Sequence, residues 1–164
     1  DRANSIITEF LSLAKNKTVE LELINLNSII NRLMPLLQAE AMSRDQYIKA
    51  ELTGLPDLYL DEKEIRQLII NLVKNALEAM PAASFVTITT FLRENKVVLA
   101  IKDQGSGIDN KLLEKIGTPF LTTKEHGTGL GLAVCYRIAN RHDATIDFET
   151  SGRGTTFYVN FPLP

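Results

Sequence analysis

The sequence predicts an α+β fold, an antiparallel or mixed sheet covered on one face by helices. Consecutive hairpin patterns interleaved with helices point to it, where a doubly wound parallel sheet would alternate single strands with single helices. A length of 164 residues, 45% of them hydrophobic and 23% charged, fits one globular domain with a sizeable core. A run of alternate glycines, Gly127-x-Gly129-x-Gly131, leads into an apolar helix and adds a place where an anion could be held.

Taken in order, Ile6, Ile7, Phe10, Leu11 and Leu13 recur near helical spacing over 1–15, as the tail of a longer amphipathic helix. The polar group Lys15-Asn16-Lys17-Thr18 breaks that pattern and divides the chain into 1–16, the end of a preceding helix, and 17–164, the main domain. With no initial methionine and no targeting signal, the sequence reads as a fragment of a longer protein. Residues 19–26 alternate as a short strand. Asn27 is a candidate N-cap for a helix to about Met42, with Ile29, Ile30, Leu33, Leu36 and Leu37 as its apolar stripe and a kink at Pro35. Residues 47–52 and 58–60 read as strands around Thr53-Gly54-Leu55-Pro56. The strongest helix signal follows. Asp61, with Glu64 three residues on, makes a start like a capping box; Ile65, Leu68, Ile69, Leu72, Val73, Ala76, Leu77 and Met80 then keep helical spacing until Pro81. Residues 86–92 and 97–101 form a hairpin around Glu94-Asn95, a short helix follows Asp109, and 131–141 is another helix. A second hairpin, 144–149 and 155–161 through Ser151-Gly152-Arg153-Gly154, closes the chain.

Composition narrows the function. A formal charge of −2 without a Lys/Arg run argues against a nucleic-acid surface, which needs several basic side chains to neutralise phosphates. Cys135 is the single cysteine, so an internal disulfide is excluded, and a core thiol in a reducing cytosol is the expectation. His126 and His142 are far apart and form no HExxH pattern, which leaves a zinc site without support.

Three stretches could carry chemistry. Asn71 and Asn75 stand four residues apart on the long helix, as neighbours beside its apolar face. Asparagine is a mediocre helix former, so the pair either faces solvent or offers carbonyl oxygens to a hard cation such as Mg²⁺. In "VVLAIKDQGSGID", Val97, Leu99, Ile101 and Asp103 share one face of a strand, which sets a carboxylate among core residues or else at a solvated strand end. Gly105 and Gly107 after it permit a tight turn and the close approach of a planar or anionic ligand. In "TPFLTTKEHGTGLGLAV", alternate glycines leave backbone N–H groups free, and a helix starting near Gly131 brings its positive end to them. The spacing matches neither GxGxxG after a strand nor GxxxxGK[ST].

The segments "EIRQLIINLVKNALEAMP", "DQGSGI", "TPFLTTK", "GTGLGLAV" and "GTTFYVNFP", in that order, resemble the N, G1, F, G2 and final glycine boxes of the catalytic ATP-binding domain of bacterial sensor histidine kinases. The resemblance spans 58–164, and "NLVKNALEAMP" is similar to the nitrogen-regulation and sporulation-type kinases. It implies a two-layer α/β sandwich of the Bergerat type, with a mixed, mostly antiparallel sheet, shared with gyrase, Hsp90 and MutL. It implies that ATP and Mg²⁺ bind, with Asp103 accepting from the adenine amino group and Asn75 ligating the metal. Asn71 and Lys74 would lie near the phosphates, and Gly105, Gly107 and Ile108 would shape the adenine pocket. Phe120 and Lys124 would belong to a lid over 116–128, with Lys124 on a phosphate. Gly127, Thr128, Gly129, Leu130 and Gly131 would hold the phosphate chain, and Thr155 completes the set. Asn71 and Lys124 are the candidate catalytic residues. Two departures stand out: Glu78 replaces a basic residue common in relatives, and Asp143-Ala144 follows His142 where Gly-Gly is usual.

The activity implied is transfer of the γ-phosphoryl group of ATP to a histidine on a dimerisation helix outside this fragment, for relay to a response regulator. The parent is expected to be a cytoplasmic or membrane-anchored homodimer, and the fragment to touch neither nucleic acid nor membrane. Neither His126 nor His142 lies in a Glu/Asp-rich helical context, so the fragment alone is expected not to label itself. The alternatives are a superfamily ATPase, a protein serine kinase, or a nucleotide-binding docking module. Asn71 stands against the hydrolase, because the ATPase relatives place a general-base glutamate there.

Overall fold

A computed structural model describes residues 18–108 and 130–164. The elements run β1 (Glu22–Ile24), α1 (Leu26–Ser43), β2 (Tyr47–Leu52), β3 (Leu58–Leu60), α2 (Glu62–Glu78), β4 (Phe85–Arg93), β5 (Lys96–Lys102), α3 (Leu130–Arg141), β6 (Thr145–Ser151) and β7 (Gly154–Pro162). Five strands form one sheet in the order β2-β4-β5-β7-β6, while β1 and β3 make a separate antiparallel pair. Only β2 and β4 run parallel within the large sheet; its other neighbours are antiparallel. The helices cover one face, and the core between layers joins Leu26, Ile30, Leu68 and Leu72 to Ile88, Leu99, Val159 and Phe161. The expected mixed sheet with one covered face is what forms. The expected helix at the N-terminus and the short helix after Asp109 lie outside the described residues.

Three local expectations are corrected: the extent of the first strand, the cap of α1 and the place of Leu36. The first strand is limited to Glu22–Ile24, because the cap of α1 is Asn25 and not Asn27; the Asn25 side chain accepts from Asn27 N at 3.0 Å. Asn27 instead sits in the first turn, where its Nδ2 donates to Thr53 O at 2.6 Å and its Oδ1 accepts from the Thr90 hydroxyl at 2.8 Å. Pro35, where a kink is expected, lies inside this helix, which runs from Leu26 to Ser43. Leu36 is 56% exposed, because it stands roughly 80° around the helix from the centre of the stripe formed by Leu26, Ile29, Ile30, Leu33, Leu37 and Ala41.

The hairpins follow their turns. Glu94 and Asn95 both take positive φ, 52° and 61°, as a two-residue turn of type I′ requires between β4 and β5. After α3, Asp143 takes φ 54°, so it adopts the left-handed conformation that the usual glycine would supply, while Ala144 N returns to Ala139 O at 2.9 Å. That departure changes the residue and keeps the turn.

Candidate functional site

Helix α2 is held at both ends. At its start Asp61 Oδ1 accepts from Glu64 N at 3.3 Å, as a cap should, yet the reciprocal half of the capping box is absent. Asp61 N donates instead to His142 Nε2 at 3.1 Å, and the Glu64 carboxylate takes a two-point ion pair from Arg141 Nε and Nη2. His142 Nδ1 lies 2.8 Å from Ile138 O, so the ring is neutral with its proton on Nδ1 and both nitrogens are engaged. His142 is therefore a structural link between α3 and α2. His126 lies outside the described residues.

Asp103 follows β5 with only 4% of its surface exposed, which removes the solvated-end alternative. Its Oδ1 accepts from Gly105 N at 2.9 Å and Thr155 N at 3.0 Å. Two backbone amides thus compensate one oxygen of a buried carboxylate, and among the described residues no hydrogen bond is made to Oδ2. The glycines around it are required by space. A Cβ on Gly105 would come 2.5 Å from Ala79 O, and one on Gly154, at φ 139°, would come 2.2 Å from Asp103 O. Gly107, at φ 88°, presses on the β6–β7 hairpin, where a Cβ would meet Ser151 O at 2.1 Å. Ile108 is fixed there too, its N donating to Thr150 Oγ1 at 2.9 Å, and that hydroxyl pairs with Thr155 Oγ1 at 2.9 Å.

From Ala79, α2 climbs one turn to Asn75 and another to Asn71, about 12 Å in all at helical rise. Asn71 is 8% exposed, so it does not face solvent; its Oδ1 accepts from Gln67 Nε2 at 2.8 Å, and its Nδ2 lies 3.4 Å from Gly131 O on α3. Asn75 is half-buried and Lys74 exposed. The structure thus sets Asp103, Gly105 and Thr155 at the C-terminal end of α2 and Asn71, two turns back at the middle of that helix, beside the first turn of α3. Phe120, Lys124, Gly127, Thr128 and Gly129 lie outside the described residues, as does the lid over 116–128; Leu130 begins α3. Sequence reasoning left Gly154 out of the site. Its signal was its place just before Thr155 in the final glycine box.

The fold is a single-faced sandwich with a buried, amide-held carboxylate after a central strand and a helix that carries two asparagines. The chain belongs to the family of histidine kinase-, DNA gyrase B-, and HSP90-like ATPases, whose model matches residues 60–164. It is similar to sporulation kinase C of Bacillus subtilis (strain 168), 36% identical over 165 residues that cover 99% of this chain and 39% of that protein. This chain therefore spans well under half of that relative. Among solved structures, histidine kinase ThkA in complex with the response regulator TrrA matches with TM-score 0.84 and 28% identity, over 99% of this chain and 48% of ThkA. Full-length ShkA in complex with AMPPNP shares the fold, with TM-score 0.85 and 22% identity over 96% of this chain and 35% of ShkA. Among the described residues no helix is long and apolar enough to cross a membrane.

Proposed function

We propose that this chain is the catalytic part of a two-component sensor histidine kinase, binding ATP with Mg²⁺ and passing the γ-phosphoryl group to a histidine on a helical hairpin. The observation that carries this reading is the Asp103 carboxylate, buried, held through Oδ1 by Gly105 N and Thr155 N, with Oδ2 left to accept. An exocyclic amine is the donor such an acceptor selects, and the glycine at 105 lets a flat ring approach. The family match and the AMPPNP bound to ShkA support a nucleotide as the ligand.

In this reading the phosphates extend along α2 toward Asn71, Lys74 and Gly131, where the positive end of α3 favours an anion. The resemblance assigns Mg²⁺ to the Asn75 amide oxygen, a donor of the kind a hard cation takes. When bound, Mg²⁺ supplies charge neutralisation on the phosphate oxygens. The residues of this chain orient the nucleotide: Asp103 fixes the base, and Asn71, Lys74 and Lys124 steady the phosphates. Residues 1–16 are the end of the dimerising hairpin, and 17–164 the catalytic domain. The regulator bound to ThkA supports a response regulator as the final acceptor, and the parent acts as a cytoplasmic or membrane-anchored homodimer. The test is calorimetric titration with ATP, with and without Mg²⁺. Tight binding that needs Mg²⁺, and a smaller Mg²⁺ effect in Asn75→Ala, is expected; absence of ATP binding by the folded chain overturns the proposal.

A further inference from the structure

Gln46 precedes β2 and belongs to none of the boxes that carry the family resemblance, yet only 3% of it is exposed. Its two Nε2 hydrogens are shared among three carbonyls at and just past the end of α2: Leu77 O at 2.9 Å, Met80 O at 3.0 Å and Pro81 O at 3.2 Å. That helix end has no basic side chain in its last turn, and carbonyls left over at a helix C-terminus need donors. One amide nitrogen supplies them from 31 to 35 residues away in sequence. The Oε1 of the same amide is buried, with no hydrogen-bond partner among the described residues. The orientation is thus kept although it strands an acceptor, and such a group in a folded protein calls for a reason.

The reason lies on the other side of the same backbone. Because a Cβ on Gly105 would stand 2.5 Å from Ala79 O, the loop after Asp103 rests on the helix end with no side chain between them. Gln104 N donates to Met80 Sδ at 3.1 Å, and Gln104 Oε1 accepts from Phe85 N at 2.9 Å. Gly105 N in turn holds Asp103 Oδ1. A shift of residues 79–81 therefore passes to the carboxylate through contacts that have no slack.

We propose that Gln46 is a positioning residue for the adenine end of the site, a role that rests on the nucleotide reading above. By tying the terminal carbonyls of α2 together, it sets the surface on which Gly105 rests and so the place of Asp103. A methionine of similar length would remove this shared donor, leaving Leu77 O only its backbone partner Met80 N, and a glutamate would set oxygen against oxygen. Asparagine is one methylene too short to reach all three.

The test compares Gln46→Met and Gln46→Asn with the parent in the full 164-residue chain. Each is titrated calorimetrically with ATP and with GTP well below its unfolding temperature, and amide hydrogen exchange is followed at Gly105 and Thr155. ATP binding is expected to weaken about tenfold and GTP binding by no more than about twofold, a partial loss of one hydrogen bond to a charged group. The Gly105 and Thr155 amides should exchange faster, with the β4–β5 hairpin unchanged. A role confined to stability would lower the melting temperature alone; an unchanged ATP-to-GTP ratio with unchanged exchange at those two amides, in either folded variant, overturns the proposal. Should the parent bind neither nucleotide, the functional reading fails by itself, and the exchange at Gly105 and Thr155 still decides for or against Gln46.

Discussion

Asp103 concentrates the chemistry of the site at one residue. The alternation of β5 left its carboxylate either among core residues or at a solvated strand end, and the structure decides for burial and adds the two amides that make it tolerable. Replacing it with asparagine keeps the shape and turns part of the acceptor into a donor, so ATP affinity is expected to fall by about 1.5–3 kcal/mol. Calorimetry on the folded variant checks this, and an unchanged affinity would remove Asp103 from the site. His142 is the opposite case, a residue with reactive nitrogens that has no free one. With Nδ1 on Ile138 O and Nε2 on Asp61 N, it should carry no acid-labile label after incubation with γ-labelled ATP. Its replacement by alanine should cost about 1–3 kcal/mol in denaturant unfolding, the penalty for an unmatched Asp61 N–H.

At the scale of elements, α2 and α3 form the walls on either side of the proposed phosphate path, and their far ends are clamped by Arg141 and Glu64. These side chains are 13% and 10% exposed, so the pair is largely out of water. Arg141→Ala strands a carboxylate there and should destabilise the fold by about 3–5 kcal/mol, read from the urea midpoint. An Arg141→Ala variant as stable as the parent would show that Glu64 has another partner. Asn71, between these helices, predicts the hydrolytic behaviour. An amide cannot take a proton from water as a carboxylate does, and general-base help typically contributes about 10²–10⁴-fold. Phosphate release from ATP by the purified chain should accordingly be slow, and Asn71→Asp or Asn71→Glu should raise it if water can be placed. Rapid release by the parent would favour the ATPase reading.

For the whole molecule, the expectation is a domain that binds ATP and waits for its acceptor. Transfer requires the acceptor nitrogen within about 3–3.5 Å of the phosphorus and in line with it, a geometry that the latched His142 cannot reach. Label should appear only when a histidine-bearing helical hairpin is added, and it should be lost in acid. Acid-stable label on the partner would point to serine, and strong label on the chain alone would overturn the assignment of the acceptor to another segment.

What the sequence determined by itself was whatever repeats along the chain: the 3.6 period of α2, the alternation and turns of the two hairpins, and the order of the glycine boxes, all local patterns whose physics is written in neighbouring residues. The mixed sheet with one covered face and the cap at Asp61 were legible for that reason, whereas the burial of Asp103 was decided by the structure. Only the tertiary structure decided the partners across the chain. Asn25 displaced Asn27 as a cap because Asn27 was claimed by Thr53 and Thr90, and Glu64 left its capping box because Arg141 offered a charged partner. Leu36 fell outside the core at the border of its stripe. Gln46 had no period or motif to announce it, since its acceptors lie 31 to 35 residues away and meet it only when the C-terminal end of α2 folds against the residue that precedes β2. Hydrogen bonds over such separations are satisfied by folded proximity, and one-dimensional spacing carries no trace of which distant group will be left needing a donor.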